Sequence, residues 1–326
     1  MEQQYELFHG DCLEVMKELK THSIDLVLID PPYNISKAEW DKWKTVDDYV
    51  NFMGEVFKEI ERVLKPNGSF YFFHNDFLQI VELQNWINKN TAFEFKQLLV
   101  WNKRFNEASN KGFLDGFVEP SGLRNFQKMV EYCLFYTFQD GIGFEKTKSN
   151  TDSFKPLRNY FKTIQEELKV TKKVLIEKIG QRVDHCFRWG STQWDLPTEE
   201  TYNALIEVFG INNLEQFKSY SELKQEYEEL RYTFNNLKEH HSVMNYEIAK
   251  KMGHLTPKPV GLLEYLIKTS SNENQVVLDC FMGSCSTGVA CLNTNRKFIG
   301  IELDDKFFKI AKNRMKETEK ALKDVF

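Results

Sequence analysis

Apolar runs alternate with amphipathic stretches at both ends of the chain, and the middle turns helical. Ile24 to Ile29 is apolar except for Asp25, the pattern of a strand buried on both faces. Val46 to Leu64 carries apolar residues at helical spacing and ends at Lys65-Pro66-Asn67-Gly68, which predicts an amphipathic helix and its stop. Ser69 to His74 reads as a strand, Phe77 to Asn88 as a helix, and Phe95 to Trp101 and Val130 to Phe138 as strands. The alternation returns near Pro259. There Val260–Ser270, Ser286–Leu292 and Asp305–Arg314 read as helices, and Val276–Leu278 and Phe298–Ile301 as strands. Strands alternating with helices predict an α/β fold with a mostly parallel sheet covered on both faces. From about Thr151 to Tyr246 the period is helical, with charged faces and few strand signals. We therefore expect one sheet built from both chain ends, residues 1–145 and 251–326, interrupted by a helical insert, residues 146–250.

Composition narrows this picture. Hydrophobic residues make up 41% of the 326, enough for a sizeable core. No apolar run reaches the roughly 18 residues of a membrane span, and the first residues lack a secretory pattern. The six cysteines show no Cys-x-x-Cys pair and no His at metal spacing, so we expect reduced thiols, no metal site and a cytoplasmic protein. The net charge of -5 argues mildly against nucleic acid. Between Lys146 and Arg188, however, eleven basic residues face five acidic ones. Phosphate affinity follows such a local patch more than the total, although a solvated helix face has the same pattern.

The chemistry concentrates at two strand ends. Asp30-Pro31-Pro32-Tyr33-Asn34 follows the first buried run directly. Two prolines remove two backbone donors and fix two φ angles, so a carboxylate, backbone carbonyls and an aromatic ring leave the strand in a stiff turn. That set suits a flat group bearing an amine. Near the C-terminus, the strand ending at Asp279 leads into the small-residue turn Cys280 to Cys285, and Ser286 and Thr287 are placed to cap a helix. Such a turn lets a ligand approach the backbone at a strand's carboxyl end. Glu302 ends the next strand, at the offset where an acid commonly meets ribose hydroxyls.

The pentapeptide resembles the catalytic motif of the DNA amino-methyltransferases, and Asp279 to Gly288 resembles their S-adenosylmethionine turn. The resemblance covers roughly Tyr5 to Gln139 and Lys251 to Arg314, and implies a Rossmann-like methyltransferase sheet. It assigns catalysis to Asp30, Pro31, Pro32 and Tyr33, with Asp30 also on the cofactor side. Further cofactor contacts fall to Asp279, Phe281, Gly283, Ser284, Ser286, Thr287 and Glu302. Asp11 and Cys12 would serve the adenine end, and Thr256 and Lys258 the methionine end. Two positions depart from the family: Cys280 stands where Pro is usual and Cys285 where Gly is usual, which puts the local conformation of the turn in doubt.

The catalytic motif precedes the cofactor motif, which resembles the permuted β group, where the segment between them recognises the target. In that segment, Val174–Gly180, Val183–Trp189 and the stretch from Leu196 resemble a phage-repressor helix-turn-helix. It would place Arg182, Asp184, His185 and Arg188 on or beside the exposed face of a recognition helix, with Lys103, Arg104 and Arg124 adding phosphate contacts. The implied activity is methylation of adenine N6 in duplex DNA after base flipping, with Tyr33 stacking on the base. The leading Asp favours adenine over cytosine by resemblance only. Cytosine N4, an RNA or protein amide, and a regulator on an inactive scaffold stay open, as do a cognate restriction endonuclease and a homodimer.

Overall fold

The computed structural model describes residues 4–36, 41–105, 129–138, 154–189, 194–230, 233–235, 241–249 and 257–323. Its strands are β1 (Tyr5–His9), β2 (Ile24–Ile29), β3 (Leu64–His74), β4 (Glu94–Asn102), β5 (Val130–Thr137), β6 (Val243–Asn245), β7 (Val276–Asp279) and β8 (Lys297–Glu302). They form one sheet in the order β1-β8-β7-β2-β3-β5-β4-β6. All neighbours run parallel except at β5, which is antiparallel to both β3 and β4. Both chain ends thus contribute to one mostly parallel sheet, as expected. β2 is wholly buried, the outcome its apolar run foretells.

The chain splits into two units, Met1–Gly143 with Thr233–Phe326, and Phe144–Tyr232. The second unit is shorter than the expected insert, 146–250, because Val243–Asn245 pairs with Val100–Asn102 and joins the sheet.

In the first unit the helices are α1 (Cys12–Glu18), α2 (Val46–Val63) and α3 (Phe77–Asn90), followed in the second by α4 (Lys155–Leu168), α5 (Lys172–Ile179), α6 (Glu199–Phe209) and α7 (Tyr220–Leu230). The first unit resumes with α8 (Val260–Ser270), α9 (Ser286–Asn293) and α10 (Asp305–Lys323). α2 shows how the pattern becomes structure. Thr45 Oγ1 accepts the Asp48 N–H at 3.0 Å, and Asp47 and Asp48 lie in the first turn, where the helix dipole favours negative charge. Tyr49, Met53, Val56, Phe57, Ile60 and Val63 recur at helical spacing and are buried against the sheet core. Truncating a buried Phe such as Phe57 to Ala costs about 3–5 kcal/mol.

The second unit has its own core of Leu157, Phe161, Leu175, Val183, Tyr202 and Leu205. The segment expected as a recognition helix is a 3-10 helix, Gln181–Phe187, following Gly180 at φ 110°. Asp184 does not face outward, correcting the sequence expectation. It is 6% exposed and pairs with Lys172 and Arg188, whose bonds hold its carboxyl below the usual range. In so short a helix, burying Val183 and Cys186 carries Asp184 inward with them, leaving Arg182 and His185 exposed and Arg188 half-buried.

Candidate active site

β2 lies between β7 and β3, and the chain leaves it on one side towards β3 while β7 leads to β8 on the other. The crevice beyond the carboxyl ends of such strands is where open α/β sheets bind ligands. A cavity of about 680 Å³ sits there. Every described residue expected at the catalytic or cofactor site lines it. Thr256, like the phosphate candidate Arg124, lies outside the described residues.

The turn after β2 lacks two amide donors, and side chains from two helices and a loop hold it instead. Asp41, 1% exposed, accepts the Tyr33 N–H at 2.7 Å and the Ile35 N–H at 3.3 Å. Tyr49 of α2 donates to the Pro32 carbonyl at 2.8 Å, and Gln79 of α3 to the Tyr33 carbonyl at 3.1 Å. His74 completes the frame. Its Nδ1 accepts the Asp76 N–H at 3.0 Å, so Nε2 carries the proton and meets Tyr49 Oη at 3.1 Å. Burial lowers the His74 pKa to about 4, keeping the ring neutral.

Asp30 is the half-exposed end of a buried charge chain. Its Oδ1 accepts from Tyr33 Oη at 2.5 Å, and Lys258 Nζ lies 2.5 Å from Oδ2. The same ammonium lies 3.1 Å from Glu131 Oε2 on β5 and donates to Tyr33 Oη at 3.2 Å. Glu131 is also paired with Lys103. Burial opposes the charge on Lys258, but Asp30 and Glu131 outweigh it and raise the pKa. Burial likewise opposes the charge on Glu131, and Lys258 and Lys103 hold it ionised below the usual range. Burial, with Asp30 and Glu131, raises Tyr33 far above a normal phenol, so it remains a donor. Its ring lies 4.8 Å from that of His74. Lys103, expected to reach phosphate, is instead turned inward by Glu131 and lies over the Trp101 ring, whereas Arg104 is exposed.

The second strand end is shaped by backbone. Asp279 accepts the Phe281 N–H at 3.1 Å and the Thr287 hydroxyl at 2.6 Å. Burial raises its pKa to about 7. Glu302 Oε2 accepts the Gly283 N–H at 2.9 Å and Oε1 the Asp304 N–H at 2.8 Å. Gly283 takes φ 49°, and Cys285 takes the left-handed conformation, φ 63° and ψ 39°, that a glycine would adopt freely. Neither Ser286 nor Thr287 caps α9. Cys285 holds the cap position without a side-chain bond, because Asp279 takes the Thr287 hydroxyl and Arg314 donates to Ser286 Oγ at 3.0 Å. Asp11 caps α1 through Oδ1, accepting the Leu13 N–H at 2.9 Å. Cys12 is buried, its thiol pushed up to about 12 by burial.

Sequence reasoning missed Glu131 and Asp41. A lone carboxylate inside the apolar run Val130–Thr137 was the available signal for Glu131. Asp41 carried none. Among the described residues, seven acids line the cavity (Asp11, Asp30, Asp41, Asp279, Glu302, Asp304 and Asp305) against a single basic residue, Lys258. That balance attracts a cation.

A family model described as "DNA methylase" matches residues 24–313. The type II methyltransferase M1.MboII of Moraxella bovis is 25% identical over 91% of this chain and 91% of its own length. The DNA adenine methyltransferase YhdJ of Escherichia coli (strain K12) is 27% identical over 95% of this chain and 82% of its own. Among solved structures, the M1.HpyAVI-SAM complex superposes with a TM-score of 0.51 at 18% identity, covering 95% of this chain and 98% of that one. The cytosine-N4-specific PvuII DNA methyltransferase gives 0.54 at 13%, covering 97% and 91%.

Proposed function

The chain belongs to the DNA methylase family, and we propose that it transfers a methyl group from S-adenosylmethionine to the N6 amine of adenine in duplex DNA. One observation carries this reading: the Asp30 turn and the Asp279–Glu302 turn open on the same acid-lined cavity. The cavity fits the cofactor chemically. A sulfonium and an ammonium suit a wall of carboxylates, ribose hydroxyls suit Glu302, and Phe281 with Ile301 offers apolar surface to an adenine. Asp11, Asp279, Gly283 and Glu302 would hold it. When bound, it supplies a methyl carbon that bonds to the amine nitrogen as its bond to sulfur breaks, the electron pair staying on sulfur and a proton leaving nitrogen.

The chain's own part is positioning. An aromatic amine is a weak nucleophile because its lone pair is delocalised into the ring. Asp30 and the Pro31 carbonyl accept its two N–H bonds and draw the nitrogen towards a tetrahedral form. Charge-assisted bonds to Asp30 are the strong ones, and in-line placement supplies much of the rate. Tyr33 sets the Asp30 rotamer and stacks on the flipped base. Adenine is favoured by the leading Asp and by the name of the relative YhdJ. In the helical unit, Arg182 and His185 meet the DNA, with Arg188 beside them, in helix-turn-helix fashion. Arg104 adds a phosphate contact. Action on DNA in the cytoplasm, a homodimer and a cognate restriction endonuclease extend the same reading.

Incubation with methyl-labelled S-adenosylmethionine and duplex DNA, RNA or protein, followed by mass spectrometry of the nucleosides, tests this directly. N6-methyladenine in duplex DNA is expected. Label in cytosine N4, RNA or protein would reassign the substrate, and failure to bind S-adenosylmethionine by calorimetry would favour a regulator.

A further inference from the structure

Lys258 is 5% exposed and sits between two carboxylates, 2.5 Å from Asp30 and 3.1 Å from Glu131. Asp30 therefore carries a short bond on each oxygen, from Lys258 and from Tyr33, and the methyl-transfer reading adds an N–H of an incoming amine to the same carboxylate. An ammonium held on a carboxylate withdraws charge from it and weakens it as an acceptor. Drawing Lys258 away would restore Asp30 as an acceptor, and a buried ammonium cannot be left without a counter-ion.

We propose that Glu131 is a positioning residue for the transfer: it is the second seat to which Lys258 moves when a base amine binds Asp30. This inference rests on the methyltransferase reading. Glu131 is placed for the role by β5, which lies beside β3 with Glu131 next to Tyr132, the partner of His74. At 5% exposure it is shielded from water, so its charge stays directed at Lys258 and Lys103. Lys103 keeps Glu131 occupied from the other side, which balances two acids with two ammonium groups and prevents Lys258 from settling permanently on Glu131. The hop moves no proton and breaks no covalent bond; one ion pair shortens as the other lengthens.

The test uses the full-length protein and two variants. Glu131→Gln removes the seat and leaves an excess positive charge. Lys103→Met with Glu131→Gln removes the seat and keeps the charge balanced, so that folding, checked by thermal melting, is preserved. In both, Lys258 stays on Asp30, and kcat falls at least tenfold near neutral pH, while the calorimetric Kd for S-adenosylmethionine changes less than threefold. The diagnostic readout is pH: Glu131 helps hold the Lys258 proton, so without it that proton is lost at lower pH than in the wild type, freeing Asp30, and variant kcat climbs on the alkaline side while wild-type kcat stays nearly flat. Glu131→Asp, which retains the seat, recovers part of the rate and the flat profile. A balanced variant with wild-type kcat, or with a lowered but flat profile, overturns the role of Glu131 and leaves the methyltransferase reading standing. A wild-type protein that methylates no DNA overturns that reading, and this role with it.

Discussion

Asp30 and Asp279 end neighbouring strands, β2 and β7, and both line one cavity, yet their surroundings differ in kind. Asp30 meets an ammonium and a phenol, and side chains from two helices and a loop hold its turn. Asp279 receives neutral donors, a backbone N–H and a hydroxyl, and its turn combines left-handed backbone at Gly283 and Cys285 with the Glu302 carboxylate on the Gly283 N–H. Placement at a strand end therefore does not set the chemistry of a carboxylate. The first end is built to present a charge, and the second to receive one.

The sharpest way to break this contrast is Asp30→Ala. Loss of a charge-assisted acceptor at the reacting nitrogen should lower methylation by about 10²–10³-fold or more. Calorimetric affinity for S-adenosylmethionine should stay within threefold. Retained methylation would remove Asp30 from the mechanism.

Next is Gly288→Ala, aimed at the backbone-built end. A Cβ there would lie 2.4 Å from Cys285 Sγ and 2.8 Å from Met315 Sδ. Overpacking of this kind costs about 1–3 kcal/mol, readable as a lowered denaturation midpoint. An unchanged midpoint would show that the turn is looser than its packing indicates.

A smaller effect follows from the charge difference. Asp279 titrates at about 7, and a cationic ligand favours its ionised form. Affinity for S-adenosylmethionine should rise about tenfold from pH 6 to pH 8 as the carboxyl ionises. Asp279→Asn should flatten that slope. For stability the sign is opposite: the folded pKa lies above the ordinary value of 3.8, so the folded protein holds the extra proton. The contribution is present below about pH 4 and is lost as pH rises through about 7. Urea unfolding of wild type and Asp279→Asn across that window checks it.

The smallest effect concerns the helical unit, where Arg182 is exposed. Arg182→Ala should weaken DNA binding modestly and reduce the salt slope of log K by about 1. Asp184→Ala should instead lower thermal stability, since Asp184 anchors Lys172 and Arg188. A change in sequence preference in that variant would restore Asp184 as a reader.

The two units also differ in how far they could be read in advance. Strands β2, β3 and β5 were legible because each buries an apolar run, whereas β1 and β6 bury none, and helices such as Val260–Ser270 emerge with the expected bounds. The helical unit was legible as helices, but not in its faces. Whether Asp184 points outward depends on whether Gln181–Phe187 winds as an α- or a 3-10 helix. A hundred-degree step and a hundred-and-twenty-degree step diverge over a few residues.

The sequence by itself determined the two strand-end motifs and the α/β order around a helical middle, because these depend on neighbours along the chain. Only the tertiary structure decided that β5 runs antiparallel and that Val243–Asn245 joins the sheet. It alone placed Lys258 between Asp30 and Glu131, residues 228 and 127 positions away along the chain. Charges in water interact weakly at any spacing, so a sequence carries no sign of such a pairing. Burial in the folded sheet lowers the local dielectric and makes it strong.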